Sequence, residues 1–88
     1  MVLHRKEKEI AMNEQIKILD LRSIPPSERH GKIFQTLDAL NSGEIMKIIN
    51  DHDPKPLRYQ LEAEYTDKFE WEYEREGPMD WIVNIKKH

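Results

Sequence analysis

The chain has 88 residues, enough for one small domain with a modest hydrophobic core. Its 14 Lys and Arg residues are mixed with 17 Asp and Glu residues, and the net charge of −3 does not support a nucleic-acid partner. The absence of cysteine excludes disulfides, thiolate metal sites and thiolate chemistry carried by this chain. No apolar stretch approaches the ~20 residues of a membrane span and none resembles a secretory signal, so we expect a cytoplasmic protein without a membrane partner.

The N-terminal part is charged and weakly patterned, so we interpret residues 1–15 as an arm and residues 16–88 as one domain. From Ile16 the sequence alternates and then becomes mostly apolar, which predicts a strand near 16–21. The following proline pair ends this strand, because proline cannot donate to a sheet ladder.

Helical spacing follows the prolines, with apolar residues at Ile33, Phe34, Leu37 and Leu40. This stripe predicts a helix near 27–40, with Ser27 as the expected N-cap and Gly43 in the turn that follows. A second apolar run predicts a strand near 44–49. Because the connections are short, we expect a βαβ unit with parallel strands and a right-handed crossover.

Leu57, Leu61 and Tyr65 recur every four residues and predict a second helix near 55–64. Two alternating segments then predict a hairpin with strands near 69–75 and 81–86. Together the elements predict a β-α-β-α-β-β two-layer α/β sandwich, with two helices on one face of a four-stranded mixed sheet. The residues expected to be largely buried are Phe34, Leu37, Ile48, Leu61, Trp71 and Val83.

The segment Leu19-Asp20-Leu21-Arg22, the proline pair after it and Gly43-Glu44 resemble the TusA-type sulfur-carrier fold. In that family a Cys-Pro-x-Pro segment follows the first strand, and its cysteine carries persulfide sulfur. Here the corresponding stretch is Ile24-Pro25-Pro26-Ser27, with no cysteine. The resemblance therefore implies a TusA-like fold but no sulfur transfer.

A closer resemblance covers nearly the whole chain from about Ile16. It is carried by strings such as Arg29-His30, Asn50-Asp51-His52-Asp53-Pro54-Lys55-Pro56-Leu57, Tyr59-Gln60, Phe69-Glu70-Trp71 and Glu76-Gly77-Pro78. These are similar to the uncharacterised TusA-like, or SirA-like, family that lacks the sulfur-carrier cysteine. Its members occur alone or beside hemerythrin-like domains, which implies a link to redox or nitrogen-oxide metabolism and a protein partner there.

The loop after the second predicted strand has the densest set of candidate functional groups. It places His52 between two aspartates, and two prolines stiffen it. Because parallel strands end at the same edge of a sheet, we expect this loop to meet the end of the first strand and the start of the first helix. The candidate ligand-binding residues at this rim are Arg22, His30, Asp51, His52, Asp53, Arg58 and Tyr59.

His30 and His52, with nearby carboxylates, form a nitrogen and oxygen set suited to a divalent metal, the only cofactor that the residues suggest. Their spacing matches no metal-binding motif. Structural alternatives stay open for the same residues. Asp53 before Pro54 is a candidate N-cap, Arg22 a candidate ion-pair partner of Asp51 or Asp53, and His30 a candidate core-edge residue.

Two classes of function follow from this rim. The first is a small binding or adaptor domain that holds an anionic or metal ligand, or docks on a redox partner. The second is an enzyme in which His52 is the general base, Asp51 or Asp53 orients it, and Arg22 holds an anionic substrate. We favour the binding domain because the chain offers no persuasive nucleophile.

Overall fold

The computed structural model describes residues 16–88, and the predicted arm at 1–15 lies outside the described residues. The elements are β1 (Ile16–Asp20), a short 3-10 helix (Leu21–Ser23), α1 (Pro26–Ala39), β2 (Ile45–Asn50), α2 (Lys55–Glu64), β3 (Phe69–Glu76) and β4 (Trp81–Lys87). No helix in this part of the chain combines the length and the apolar character needed to cross a membrane.

The four strands form one mixed sheet in the order β1-β2-β4-β3. β1 and β2 are parallel, with Leu19 opposite Ile48, and β4 runs antiparallel to both of its neighbours. The predicted β-α-β-α-β-β sandwich and the parallel first pair are therefore confirmed. The C-terminal ends of β1 and β2 lie at the same edge of the sheet, as the rim hypothesis requires.

The hydrophobic core lies between the helices and one face of the sheet. Its buried members are Leu21, Ile33, Leu37, Leu40, Met46, Ile48, Leu57, Leu61, Val83 and Ile85. Both helices contribute to this single cluster, so they cover the same face. The opposite face is open, and Ile18 on it is 66% exposed. Burial alternates along β2 and in the middle of β4, as expected of strands with one covered face.

Two of the predicted core residues are only half-buried. Leu37, Ile48, Leu61 and Val83 are buried as predicted, whereas Phe34 and Trp71 are not. Phe34 packs at the edge of the helix layer, where its ring lies 6.1 Å from the Tyr65 ring. Trp71 lies on β3, one of the two edge strands of the sheet, and is partly buried against the core.

The start of α1 also differs from the prediction. Pro25 is the N-cap residue, without a side-chain hydrogen bond, and the helix begins at Pro26. Ser27 is therefore inside the first turn and does not cap it. Proline is well suited to this first position because it has no N–H to satisfy and its φ is already helical. Asp20 instead caps the short 3-10 helix by accepting the backbone N–H of Arg22 at 3.1 Å, which ends β1 one residue early.

The β3–β4 turn depends on Gly77. This residue has a φ of +67°, and a Cβ atom there would lie 3.0 Å from the Trp81 ring. Its backbone N–H donates to the Asp80 carbonyl at 3.0 Å. A side chain at Gly77 would therefore meet backbone strain and a rigid ring together.

We predict that Gly77→Ala lowers the free energy of unfolding by roughly 1–3 kcal/mol, measured by urea denaturation. Gly31→Ala is the matched control, because Gly31 lies in α1 and a Cβ there meets nothing within 4 Å. The control should be neutral or raise stability by up to about 1 kcal/mol. Equal effects of the two substitutions would contradict the assigned turn.

Candidate functional site

A cleft opens where the N-terminal ends of α1 and α2 face the end of β2. Its volume is about 300 Å³. The lining residues are Leu21, Pro26, Arg29, His30, Ile33, Asn50, His52, Pro54, Pro56, Leu57 and Gln60. We call this space the histidine cleft, because it brings His30 and His52 to one apolar groove from two different elements. The structure thus places both predicted histidines at one cleft, while their joint role as a site stays a prediction.

A buried arginine fixes the geometry of this cleft. Arg29, on α1, is 9% exposed and donates from Nε to the Ile24 carbonyl at 2.8 Å. Its Nη1 donates to Asn50 Oδ1 at 3.1 Å and to Asp51 Oδ1 at 3.0 Å, and its Nη2 to Asp51 Oδ2 at 3.2 Å. This two-pronged contact with a carboxylate is the geometry that guanidinium groups favour. Arg29 thereby joins α1 to the end of β2.

Asp51, which is held by Arg29, also contacts the neighbouring imidazole of His52. The Arg29 guanidinium, and secondly His52, hold the pKa of Asp51 down at about 2. The carboxylate is therefore ionised at neutral pH, and its Oδ1 lies 2.7 Å from His52 Nδ1. An ionised carboxylate only accepts hydrogen bonds, so we infer that Nδ1 carries the proton. His52 Nε2 is then left as the outer nitrogen of a side chain that is 67% exposed.

Asp53 has a different role from the one predicted. It does not cap α2, whose N-cap is Pro54 with no side-chain hydrogen bond. Its Oδ1 instead accepts the hydroxyl of Tyr73 on β3 at 2.8 Å. Burial first, and then the Asp53 carboxylate, raise the pKa of Tyr73, so the phenol stays protonated and keeps donating. The contact ties the 51–54 loop to the outer strand of the sheet.

Arg22 pairs with neither Asp51 nor Asp53, which corrects the predicted ion pair. Its Nη2 donates to Asp20 Oδ2 at 2.8 Å and its Nη1 to Asp80 Oδ1 at 3.2 Å. The 3-10 helix after β1 directs Arg22 along its own strand end, where Asp20 also accepts its backbone N–H. The Arg22 hydrogen bond lowers the pKa of Asp20. Arg22 is not among the residues that line the histidine cleft.

The remaining candidate residues, His30, Arg58 and Tyr59, do not all lie at the same site. His30 is exposed and its ring lies 4.7 Å from the Phe34 ring, so it lines the cleft from the edge of α1. Arg58 pairs with Glu62 at 3.1 Å, one turn along α2. Tyr59 is 62% exposed and, like Arg58, does not line the histidine cleft.

A metal centre finds little support in this geometry. Among residues 16–88 no group of three or more His, Asp or Glu side chains is placed to hold a metal ion. His30 and His52 would supply two nitrogens, but the carboxylate nearest to His52 is already engaged by Arg29. We therefore do not base a function on a metal.

Sequence reasoning missed Arg29, although a signal for it was present. Arg29, Ile33 and Leu37 follow one another at intervals of four, so the arginine lies on the buried stripe of α1. A charged residue on an apolar stripe requires a buried partner. The search for that partner would have led to the aspartates after β2.

We predict that Asp51→Asn destabilises the domain at neutral pH, because it leaves the Arg29 charge buried without its counter-ion. The pKa of Asp51 is depressed on folding, so its contribution is fully present above the ordinary value of 3.8 and is lost as the pH falls through about 2. Urea denaturation at a series of pH values should show the two proteins converging toward pH 2. A difference that does not change with pH would contradict this assignment.

The comparisons with known proteins give a family and no more. A model of the family described as an uncharacterized conserved protein (DUF2249) matches residues 18–87. No curated protein and no solved structure matches the chain. The predicted resemblance to an uncharacterised family is confirmed at this level, while the association with hemerythrin-like domains stays a prediction. Because the match spans more than half of the chain, this protein belongs to the DUF2249 family.

Proposed function

We propose that this domain binds a small anionic ligand in the histidine cleft. The observation that carries the proposal is that two exposed imidazoles line one largely apolar groove. One of them, His52, is oriented by a carboxylate that Arg29 holds in place. Small-molecule sites combine mainly apolar walls with a few placed polar groups, and this cleft has that composition. An anion with a small apolar body fits such a lining best.

The charge distribution supports an anion. The carboxylate of Asp51 is compensated by Arg29, so it adds little net negative charge at the rim. The first turns of α1 and α2 border the cleft, and the N-terminal end of a helix favours negative charge. His30 can donate a hydrogen bond to an anionic oxygen, and His52 can do so from Nε2 when its ring carries both protons.

We predict that benzoate binds more tightly than acetate, by about tenfold, because the phenyl ring buries apolar surface against Ile33 and Leu57. Titration of both anions followed by NMR should shift the ring resonances of His30 and His52 together. Inorganic phosphate and Zn²⁺ are tested as further ligands in the same NMR experiment. A response to Zn²⁺ alone would replace the anion proposal with a metal site.

We further predict that His52→Ala abolishes benzoate binding and leaves the melting temperature nearly unchanged, because the exposed ring contributes little to the core. His88→Ala is the matched control, since His88 is exposed and lies outside the cleft. If the His52→Ala protein unfolds, the role of His52 is structural. Undiminished binding in a folded variant would place the ligand elsewhere.

A general-base enzyme is the second candidate. The Asp51–His52 contact of 2.7 Å favours it, because a carboxylate on Nδ1 leaves Nε2 able to accept a proton. Hydrolysis of an activated ester, p-nitrophenyl acetate, tests this role. The enzyme candidate requires that the rate fall strongly in His52→Ala and only slightly in His88→Ala, whereas equal small losses would indicate background imidazole reactivity.

The redox partner and the metabolic link rest on the resemblance described above, and the cytoplasmic location on the absence of an apolar span or signal in the sequence. A cytoplasmic location, a redox partner and a link to nitrogen-oxide metabolism stay predictions. An adaptor role and a ligand-binding role are compatible, since a bound anion next to His52 would alter the surface that a partner meets.

A further inference from the structure

The face of the sheet opposite the helices has an apolar half and an acidic half. We call this surface the open face. A shallow hollow of about 390 Å³ runs across it, and the lining residues include Ile16, Ile45, Lys47, Glu70, Glu72 and Glu74. None of these residues lines the histidine cleft. An inference drawn from the open face is therefore independent of the function proposed above.

The register of the sheet gives the order of side chains across the open face. Alternate residues of each strand point to the same face. From β1 to β3, the first row on this face is Ile16, Ile45, Lys86 and Glu70. In the same direction, the second row is Ile18, Lys47, Asn84 and Glu72. Each row thus begins with an isoleucine on β1 and ends with a glutamate on β3.

The apolar half of the open face is in contact with water. Ile16 is 40% exposed and Ile18 is 66% exposed. Neither helix lies over them, because both helices pack into the core on the other face. β1 is also an edge strand, and proteins usually protect an exposed apolar edge. Covering the two isoleucines would therefore stabilise the protein.

The acidic half has carboxylates that are free to pair with cations. Lys47 lies 3.0 Å from Glu74 and neutralises it. Glu70 has the His88 ring at 3.7 Å. Glu72 is exposed and forms no ion pair with another residue of the range 16–88. A segment that covers the open face should therefore combine apolar side chains with cationic ones.

The arm at residues 1–15 has this combination in the matching order. It joins the sheet at Ile16, where the first row begins. Counting back from Ile16, the apolar run Ile10-Ala11-Met12 comes first and the basic segment Arg5-Lys6-Glu7-Lys8 follows. An arm that crosses the sheet from β1 would therefore place its apolar run near the isoleucines and its basic segment near the glutamates.

The length of the arm fits the width of the sheet. Three spacings between neighbouring strands separate β1 from β3, which is about 14 Å in all. Lys8 lies eight residues before Ile16, and eight residues span about 12 Å as a helix or about 26 Å when extended. The basic segment can therefore reach the glutamates of β3 in either conformation.

We propose that the arm docks across the open face of its own domain. Its apolar run covers the isoleucines of β1 and β2, and its basic segment pairs with the glutamates of β3. A second copy of the chain fits less well, because its open face carries the same excess of acids and like charges oppose association. A protein partner that binds the open face has to displace the arm.

Paramagnetic broadening measured by NMR tests the docking in the full chain. Because the chain contains no cysteine, His4→Cys provides a single attachment point for a nitroxide spin label beside the basic segment. We expect the label to remove most of the amide signal intensity of β3, while the amides of α1, on the opposite face, keep theirs. Weak broadening that is equal on both faces, or broadening confined to α1, would overturn the proposal.

Glu72→Lys in the spin-labelled chain tests the charge complementarity. The docking equilibrium constant should fall about threefold to tenfold, because a repulsive contact replaces an attractive one, and the β3 signals should recover. Glu64→Lys is the matched control, since it makes the same charge change at an exposed position on α2. Both variants should keep a melting temperature near that of the wild type. Equal effects of the two substitutions on the broadening would refute the pairing with β3.

A mixed sample separates docking within one chain from contact between copies. Spin-labelled chains without isotope enrichment are mixed with isotope-enriched chains that lack the label. The proposal requires the β3 amides to keep their intensity in this mixture. Broadening of β3 in the mixture would assign the open face to a second copy and contradict docking within the chain.

Discussion

The contact between Arg29 and Asp51 is the interaction on which the candidate site depends. Arg29 is the one charged side chain on the buried stripe of α1, and its guanidinium reaches the Ile24 carbonyl, Asn50 and Asp51 at once. A buried guanidinium requires several acceptors in fixed positions. It therefore fixes the N-terminal end of α1 against the end of β2, which are the two sides of the histidine cleft.

Two short contacts also hold the loop that follows β2 in place. Asp51, held by Arg29, orients His52, and Asp53, two residues further on, is held by Tyr73. The loop is thus attached to a helix on one side and to the outer strand on the other. Pro54 and Pro56 restrict the backbone immediately after these contacts. The site is a stiff loop end carrying one exposed imidazole, which is the arrangement that suits a preformed binding site.

The fold could be predicted because its signals are local. The change from helical spacing at Ile33 and Leu37 to alternation at Phe69 and Trp71 defines the elements, and the short connections define the parallel pair. The burial of Phe34 was overestimated because periodicity shows which face of a helix is apolar but not how deeply each side chain on that face is buried. In the same way, the sequence could not show that β3 lies at the edge of the sheet.

The site was predicted less completely because side-chain partners depend on distances that the sequence does not contain. The placement of His30 and His52 at one cleft could be anticipated, because parallel strands end at the same edge of the sheet and prolines stiffen the loops there. The partner of Arg22 could not, because a 3-10 helix after Asp20 redirects that side chain toward Asp80. Arg29 was missed because its charge lies within an otherwise apolar stripe. A charged residue at a core position should therefore be examined as a determinant of the neighbouring loop.

A double-mutant cycle measures the central interaction most directly. It compares the free energies of unfolding of the wild type, Arg29→Met, Asp51→Asn and the double variant. The Arg58–Glu62 pair is the reference, because both of its side chains are well exposed on α2. We predict a coupling energy for Arg29 and Asp51 several times that of the reference pair, because one partner is buried. Additive effects, or a coupling no larger than that of Arg58 and Glu62, would contradict the account.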